Sequence, residues 1–221
     1  MPGRPSELKY VEEPLLHQLE SFGWDVLLLD DSAKHDPAKS RRESLSEVII
    51  EKELKEALQR LNPWLTDAQV DDLLVQLRTY PFPMDKLLDN NIEIFDRIVD
   101  GLSADNEETD ELNYPVRIID WSDADGFDRG TSQNSFLAIS QYKVRMPGKE
   151  KHIIPDVVLF INGLPLVVVE CKAPDIAEPI SEGIEQLLRY QDRRGSQTGE
   201  GVPELFFYNQ FVMSTCYHSA R

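Results

Sequence analysis

The chain has 221 residues, of which 41% are hydrophobic and 29% charged, so it is long enough to bury a core in one large domain or two small ones. Its apolar stretches are shorter than the ~20 residues needed to cross a bilayer, and the start of the chain lacks the apolar segment of a secretory signal, so we expect a cytoplasmic protein. Its two cysteines provide neither a disulfide framework nor the four ligands of a structural zinc site.

The net charge of −17 argues against an independent nucleic-acid-binding protein, because phosphate contacts need lysine and arginine. The charge is also unevenly distributed. Residues 1–125 carry 29 acidic and 13 basic side chains, whereas residues 126–221 carry 11 and 10. We therefore expect the two halves of the chain to have different electrostatic roles.

The first elements are a helix and a strand. Leucines at helical spacing in YVEEPLLHQLESFG predict a helix that ends at Gly23, and WDVLLL predicts a short strand after it. The polar residues 30–44 then predict a mobile loop. Residues 1–33 are thus expected to open the core of the protein.

Three helices are expected next. Ser44 and Glu47 form a possible capping box for the first of them, and Thr66 and Gln69 form one for the second. The third helix is predicted from Met84 to Val99, and the acidic run LSADNEETDELNYP after it predicts a flexible connector. Residues 34–113 are therefore interpreted as an acidic helical insertion with its connector.

The remaining part, residues 114–221, changes to the periodicity of strands. Asn162-Gly163 predicts a tight hairpin turn, and a helix is expected from Pro179 to about Arg194. The predicted strands are VRIID, SFLAISQYKV, IPDVVLFI, LPLVVVECKA and ELFFYNQFVMST. The expected fold class is α/β: a mixed β-sheet flanked by helices and interrupted by the acidic helical insertion.

Charged residues interrupt the apolar hairpin. Alternate residues of a strand share a face, so Glu170 and Lys172 point the same way and the side chain of Cys171 points the opposite way. A simple two-residue turn pairs Asp156 with about Val169, which brings Asp156 close to Glu170. Two carboxylates and one ammonium group are expected to meet at one edge of the hairpin.

Two adjacent carboxylates repel each other unless a cation lies between them. A hard divalent ion such as Mg²⁺ or Mn²⁺ prefers oxygen ligands and is often held by one or two carboxylates. Such an ion polarises a phosphodiester and lowers the pKa of a bound water, and a nearby lysine can orient that water. The pattern therefore points to metal-assisted phosphodiester hydrolysis.

These residues resemble a known family. Asp156, followed by Glu170 and Lys172, resembles the PD-(D/E)xK nuclease motif. The wider run from Asn134 to Lys172 is similar to the N-terminal endonuclease domain of the restriction (R) subunit of Type I restriction-modification enzymes, and the NGLPLV hairpin is its most specific part. The resemblance implies a PD-(D/E)xK restriction-endonuclease-like fold.

Two further segments agree with this resemblance. Gln186 and Tyr190, four residues apart on one helix face, resemble the QxxxY element of the RecB-type nuclease branch. The segment VEEPLLHQLESFGW resembles the opening helix of the family, whose acidic residue helps to hold the metal. Its spacing to the following leucines and the Gly-Trp pair favours Glu12, with Glu13 as the alternative.

The resemblance implies a role for each matched residue. The metal ligands would be Asp156, Glu170, the backbone carbonyl of Cys171, and Glu12. The catalytic set would be Asp156, Glu170, Lys172 acting on the attacking water, and Gln186 and Tyr190, which would position the scissile strand or brace the site. The cofactor would be Mg²⁺, for which Mn²⁺ substitutes.

The resemblance also implies partners. In this family the R subunit continues into an ATP-driven translocase, but no GxxxxGK[ST] phosphate loop occurs in the chain, so ATP would bind only in domains absent from this sequence. We expect the chain to be a fragment of a longer polypeptide that acts on double-stranded DNA together with methyltransferase and specificity subunits, and that has no membrane partner.

Three other interpretations stay open at this point. The charged triplet could be a surface salt bridge, which stabilises little. The chain could be a stand-alone repair or phage-type nuclease of the same fold, or a catalytically silent nuclease-fold module that docks another subunit. The basic residues Lys143, Arg145, Lys149 and Lys151 fit either a solvated loop or a DNA contact.

Overall fold

A computed structural model describes residues 7–122, 132–195 and 199–221. A turn of π-helix at Leu8–Glu12 leads directly into the first α-helix. The α-helices are α1 (Glu13–Ser21), α2 (Glu51–Leu61), α3 (Asp67–Leu77), α4 (Leu87–Val99) and α5 (Pro179–Tyr190). The strands are β1 (Asp25–Leu27), β2 (Leu102–Asn106), β3 (Glu111–Val116), β4 (Phe136–Ser140), β5 (Val144–Arg145), β6 (His152–Ile153), β7 (Val157–Ile161), β8 (Leu164–Lys172), β9 (Phe211–Cys216) and β10 (Ser219–Ala220).

The centre of the fold is a six-stranded mixed sheet in the order β1-β4-β7-β8-β9-β10. Strands β1 and β4 are parallel, as are β8 and β9, and the other neighbours are antiparallel. Two two-stranded sheets, β2-β3 and β5-β6, lie outside it. This arrangement confirms the predicted mixed α/β class with helices flanking the sheet.

Strand β8 has hydrogen-bonded neighbours on both sides, and all nine of its residues are buried. A strand buried on both faces is expected to be an almost continuous apolar run, which explains LPLVVVECK. The charged residues Glu170 and Lys172 lie at the C-terminal end of this strand.

The predicted Asn162-Gly163 turn is confirmed. Both residues have positive φ, 52° and 79°, as a two-residue turn that matches the twist of the strands requires. The side chain of Asn162 accepts a hydrogen bond from the backbone of Ser135 and donates to the carbonyl of Ile118, each at 2.8 Å. A Cβ on Gly163 would lie 2.5 Å from the carbonyl oxygen of Ile50, so the start of α2 packs directly on the turn.

Four predictions for residues 30–120 are wrong, beginning with the mobile loop at residues 30–44. This segment forms two short 3-10 turns, and the guanidinium of Arg42 is buried over the ring of Tyr142, 3.8 Å from its centroid. Arg42 also donates to the carbonyls of Glu47 and Lys143 at 2.7 and 2.8 Å. These contacts fix the loop to the strands.

The Ser44–Glu47 capping box does not form. Helix α2 begins at Glu51, because the N–H of Ile50 bonds to the Gly163 carbonyl at 2.9 Å and so ties the start of the helix to the hairpin. The second capping box, Thr66 with Gln69, is present as predicted.

The predicted acidic connector is a β-hairpin. Leu102 pairs with Val116 across β2 and β3, and Tyr114 packs edge-on against Trp64 with ring centroids 5.4 Å apart. The acidic residues are concentrated in the turn between the two strands, where they remain solvated. Apolar residues at the ends of the acidic run were the missed signal.

The predicted strand VRIID contributes only Val116 to β3. The backbone N–H and carbonyl of Arg117 both bond to the side chain of Asn62, at 2.8 Å each, which replaces strand pairing. Part of the last predicted strand is likewise a 3-10 turn, Pro203–Phe207. The side-chain amide of Asn91 donates hydrogen bonds to the carbonyls of Phe206 and Phe207, which replaces strand pairing there.

Helix α5 ends at Tyr190 and not at about Arg194. Asp192 adopts a left-handed conformation, with φ of 59°, and its carboxylate accepts hydrogen bonds from the N–H groups of Gly199 and Glu200. The boundaries proposed for the three segments of the chain stay a prediction. One cluster of buried hydrophobic residues nevertheless includes side chains from α2, α3 and α4 together with those of the sheet.

No helix within the described ranges is both long and apolar enough for a membrane span.

Candidate active site

A β-bulge places Asp156 beside Glu170. Next to the turn, Phe160 of β7 pairs with Pro165 of β8. The preceding residue of β7, Leu159, pairs with Val167, so one residue of β8 between these two pairs has no partner in β7. The predicted pairing of Asp156 with about Val169 is therefore wrong by one position, since Val157 takes that partner. One step further along, Asp156 lies opposite Glu170 and on the same face of the sheet.

Glu170 and Lys172 form a buried ion pair. The ammonium group of Lys172 lies 2.6 Å from one carboxylate oxygen of Glu170, and Glu170 itself is 0% exposed. The other oxygen, Oε2, is buried without a hydrogen-bond partner among the residues that the structure describes. A buried carboxylate oxygen without a partner is costly, so this atom is a candidate ligand.

Helix α5 covers the face that carries this pair. Glu170 pairs with Ser214 of β9, and the hydroxyl of Ser214 donates to the carbonyl of Ile180 in α5 at 3.1 Å. A Cβ on Gly183 would lie only 2.1 Å from that hydroxyl. Glycine at this position therefore lets the helix approach the end of β8.

Three further carboxylates meet at the same place. Oxygens of Glu7, Glu12 and Asp156 all lie within 4.8 Å of one another. Glu12 and Asp156 are buried and Glu7 is partly buried. The structure thus brings together the predicted ligands Glu12 and Asp156 and adds Glu7, which the sequence analysis missed.

The π-helical turn explains how Glu7 joins Glu12. In an α-helix, residues five apart point about 140° away from each other. Between these two residues the chain is wound as π-helix, whose repeat is i to i+5, so both carboxylates reach the same side. No pattern in the sequence predicts this winding, and the Glu7 carboxylate is further fixed by the N–H of Ala173 at 3.0 Å.

Gln141 is the second residue that the sequence analysis missed. Its side-chain nitrogen lies 3.1 and 3.3 Å from the two oxygens of Glu12 and 3.4 Å from Oδ1 of Asp156. Gln141 has a φ of 51° just after the end of β4, and its N–H bonds to the carbonyl of Asp156 at 2.8 Å. This break in the strand turns an amide towards both carboxylates.

The Asp156 carboxylate is also held from the other side, because the N–H of Cys171 donates to Oδ2 at 2.7 Å. The thiol of Cys171 is buried, and burial raises its pKa, so it stays protonated, as expected for a small apolar residue. The role of the Cys171 carbonyl as a metal ligand stays a prediction.

The carboxylates raise one another's pKa. Burial, with the charge of Asp156, raises the pKa of Glu170 from 4.5 to about 9. Burial and Asp156 likewise raise the pKa of Glu12 to about 7, and burial raises the pKa of Asp156 itself. Burial opposes the charge of Lys172, but Glu170 outweighs it and raises the pKa of the ammonium group. One lysine therefore compensates the cluster only in part.

Gln186 and Tyr190 are joined by a hydrogen bond beside the site. The side-chain amide of Gln186 donates to the hydroxyl of Tyr190 at 2.7 Å, and that hydroxyl donates to the carbonyl of Ile154 at 3.0 Å. Burial and the charge of Glu170 raise the pKa of Tyr190, so it remains a neutral donor. This chain of bonds joins α5 to the segment just before Asp156, which fits the bracing role expected of the pair.

The donor set suits a hard divalent cation. It consists of carboxylate oxygens, one of them buried and unpartnered, with raised pKa values that a cation would lower. Soft ligands do not take part, because both cysteine thiols lie outside the group of oxygens described above. A bound Mg²⁺ would polarise a phosphodiester and acidify a water held beside it.

The fold and site together define a mixed α/β protein whose central strand ends in a buried cluster of carboxylates and one lysine. The family model described as type I restriction enzyme R protein N terminus matches residues 4–221. The chain belongs to this family.

Two curated relatives agree with this assignment. The type I restriction enzyme HindI endonuclease subunit of Haemophilus influenzae is 29% identical over 205 residues, which cover 92% of this chain and 18% of that protein. The "Putative type I restriction enzyme MjaIXP endonuclease subunit" of Methanocaldococcus jannaschii is 23% identical over 210 residues, with the same two coverages of 92% and 18%. The chain therefore spans less than a fifth of the length of the curated relatives that it matches.

Proposed function

We propose that the chain is the Mg²⁺-dependent endonuclease domain of a type I restriction enzyme R subunit, and that it hydrolyses phosphodiester bonds of duplex DNA. One observation carries this proposal. Glu12, near the start of the chain, meets Asp156, Glu170 and Lys172 of the β7-β8 hairpin in one buried site, where a single lysine compensates the carboxylates only in part. Family membership and the names of the relatives support the same activity.

The residues of the chain would divide the work. Glu12, Asp156 and Glu170 would hold Mg²⁺, with Glu7 as a further ligand, and the ion would supply an acidic water and charge for the phosphate. Lys172, held at the site by Glu170, would orient the attacking water and stabilise the developing negative charge. Gln141 would keep Glu12 and Asp156 in place.

The fold assignment is part of the same proposal. The antiparallel hairpin carrying Asp156 and then Glu170-Cys171-Lys172, with α5 on the face of the two charged residues, supports the PD-(D/E)xK restriction-endonuclease-like fold. Gln186 and Tyr190 on α5 support the RecB-type branch of that superfamily, because their hydrogen bonds lead to the site.

The partners are proposed from the family. We propose that the chain acts after ATP-driven translocation by domains outside this sequence, together with methyltransferase and specificity subunits. This division of work is compatible with the net charge of −17, because the other domains and subunits would provide most of the contacts to DNA.

The test uses the complete natural polypeptide that carries this sequence, assembled with its partner subunits. We expect Asp156→Asn, Glu170→Gln and Lys172→Ala each to reduce DNA cleavage at least ~100-fold while ATP hydrolysis continues. Asp71→Asn, an exposed acid of α3, is the matched control and should cleave normally. Retained cleavage in all three site variants would refute the proposal.

A further inference from the structure

A cleft next to the site has a basic rim. It has a volume of about 460 Å³ and lies between the β5-β6 hairpin and the end of α5. Its lining includes Lys151 and His152 from the β5-β6 hairpin and Arg189 and Tyr190 from α5. Ile154, which accepts the hydrogen bond of Tyr190, lies in the same cleft, two residues before Asp156.

The basic groups of the cleft are available for a ligand. In the helical segment, Lys52, Lys55, Arg78 and Arg97 each have a carboxylate within 4.0 Å. By contrast, no carboxylate of residues 7–122, 132–195 or 199–221 forms such a pair with Lys151 or Arg189. Within the described residues these two cations have no compensating carboxylate, despite the large excess of acids in the chain, so a local positive charge remains there.

Two further observations favour an anionic ligand. The acid in the cleft, Glu200, is already paired with Arg194 at 2.7 Å, so its charge is compensated. Arg145, which pairs with His152 across the small hairpin, adds a further exposed positive charge.

The size of the cleft also fits. Pockets of about 300–1,000 Å³ take small ligands, and a phosphate with its attached sugar lies at the lower end of this range. Phosphate oxygens are the usual partners of arginine and lysine in protein–DNA contacts, and such contacts position the backbone without reading its sequence.

We propose that this cleft binds the phosphodiester backbone of the DNA that the carboxylate site cuts. Lys151 and Arg189 each contact a phosphate from opposite sides of the cleft. The cleft thereby aligns the strand along Tyr190 towards Asp156 and Glu170. This inference rests on the proposed nuclease function and adds the path of the substrate.

The test is the salt dependence of DNA binding. The affinity of the complete natural polypeptide that carries this sequence, assembled with its partner subunits, for a short labelled duplex is measured by fluorescence anisotropy in Ca²⁺, over about 50 to 200 mM KCl. Each phosphate contact contributes about 0.9 to the slope of log affinity against log salt. The slope of the double variant Lys151→Ala/Arg189→Ala should therefore be smaller by about 1.8. Between about 50 and 200 mM KCl the fold loss of affinity should then be about 12 times smaller for this variant than for the wild type.

A matched control removes two positive charges elsewhere. Lys52→Ala/Lys55→Ala lies on α2, where both lysines are paired with acids, and its affinity and slope should stay within about twofold of the wild type. Lys151→Arg/Arg189→Lys, which keeps both charges, should retain most of the slope. Equal effects of the two alanine pairs, or no change of slope in Lys151→Ala/Arg189→Ala, would overturn the inference.

Failure of this inference differs from failure of the proposed function. Metal binding is followed separately by Mn²⁺ calorimetry, which the cleft variants should leave unchanged and Asp156→Asn should abolish. An unchanged salt slope together with loss of cleavage in Asp156→Asn would discard the cleft alone. Cleavage retained in Asp156→Asn, Glu170→Gln and Lys172→Ala would discard the nuclease site itself.

Discussion

Replacing Glu12 by glutamine removes one negative charge from the carboxylate cluster and keeps the shape of the side chain. Glu12 is buried, and its pKa rises from 4.5 to about 7 because of burial and the nearby Asp156. An acid whose pKa is raised by folding binds protons more tightly in the folded state. Its ionisation therefore destabilises the folded chain as the pH rises from about 4.5 to about 7.

The magnitude follows from this difference. At about 1.4 kcal/mol for each pKa unit, the step from 4.5 to about 7 corresponds to a loss of about 3 kcal/mol of stability once Glu12 is fully ionised. Glutamine at this position avoids that cost, but it accepts a weaker hydrogen bond from Gln141, which removes about 1 kcal/mol. The metal-free variant should be more stable than the wild type by about 2 kcal/mol at pH 8 and about equal to it or slightly less stable near pH 4.5.

The assay is urea unfolding in EDTA at both pH values. Glu13→Gln is the matched control, because Glu13 follows Glu12 directly as the first residue of α1 and lies outside the group formed by Glu7, Glu12 and Asp156. We expect it to change the free energy of unfolding by less than about 0.5 kcal/mol. If Glu12→Gln gives no gain at pH 8, or if Glu13→Gln gives the same gain, the electrostatic reasoning is refuted and the choice of Glu12 over Glu13 fails with it.

Other variants test the supports of the site. Gln141→Leu removes the amide beside Glu12 and Asp156 and should weaken Mn²⁺ binding in calorimetry at least about 10-fold; an unchanged affinity would contradict its positioning role. Gly183→Ala forces α5 away from Ser214 and should cost about 1–3 kcal/mol in urea unfolding, most of which Ser214→Gly should restore if the close approach is the cause. Asn162→Ala loses buried hydrogen bonds at a positive φ and should cost about 2–4 kcal/mol, whereas wild-type stability would show that the turn does not depend on this side chain.

The residues that were predicted correctly depend on short-range rules. Period-two alternation placed Glu170 and Lys172 on one face, and the i, i+4 relation placed Gln186 beside Tyr190, as the 2.7 Å hydrogen bond confirms. The Asn162-Gly163 turn was identified because only few residues tolerate two successive positive φ angles. Such rules hold within an element or across a tight turn.

The residues that were missed depend on irregular backbone. Glu7 joins the cluster through a π-helical turn, and Gln141 reaches it through a left-handed residue just after the end of β4. The bulge of β8, which puts Asp156 opposite Glu170, also has no sequence signal. Each of these irregularities is stabilised by contacts with distant parts of the chain, so a local pattern could not have predicted it.

In the acidic segment, a regular element was missed because its charge was given too much weight. Its charge density predicted a flexible connector, but Leu102, Tyr114 and Val116 at its two ends pair in a hairpin, and Tyr114 packs on Trp64. A few apolar residues at the correct register therefore outweighed the charges, which the fold collects in the turn. Composition averaged over fourteen residues concealed this pattern.

The most direct test of the central claim is a crystal of the chain soaked in Mn²⁺ and measured for anomalous scattering. We expect a peak among Glu12, Asp156 and Glu170, about 2.0–2.3 Å from their carboxylate oxygens, and its loss in Asp156→Asn. The absence of a peak there in the wild type would contradict the claim that the buried cluster of Glu7, Glu12, Asp156 and Glu170 is a cation site.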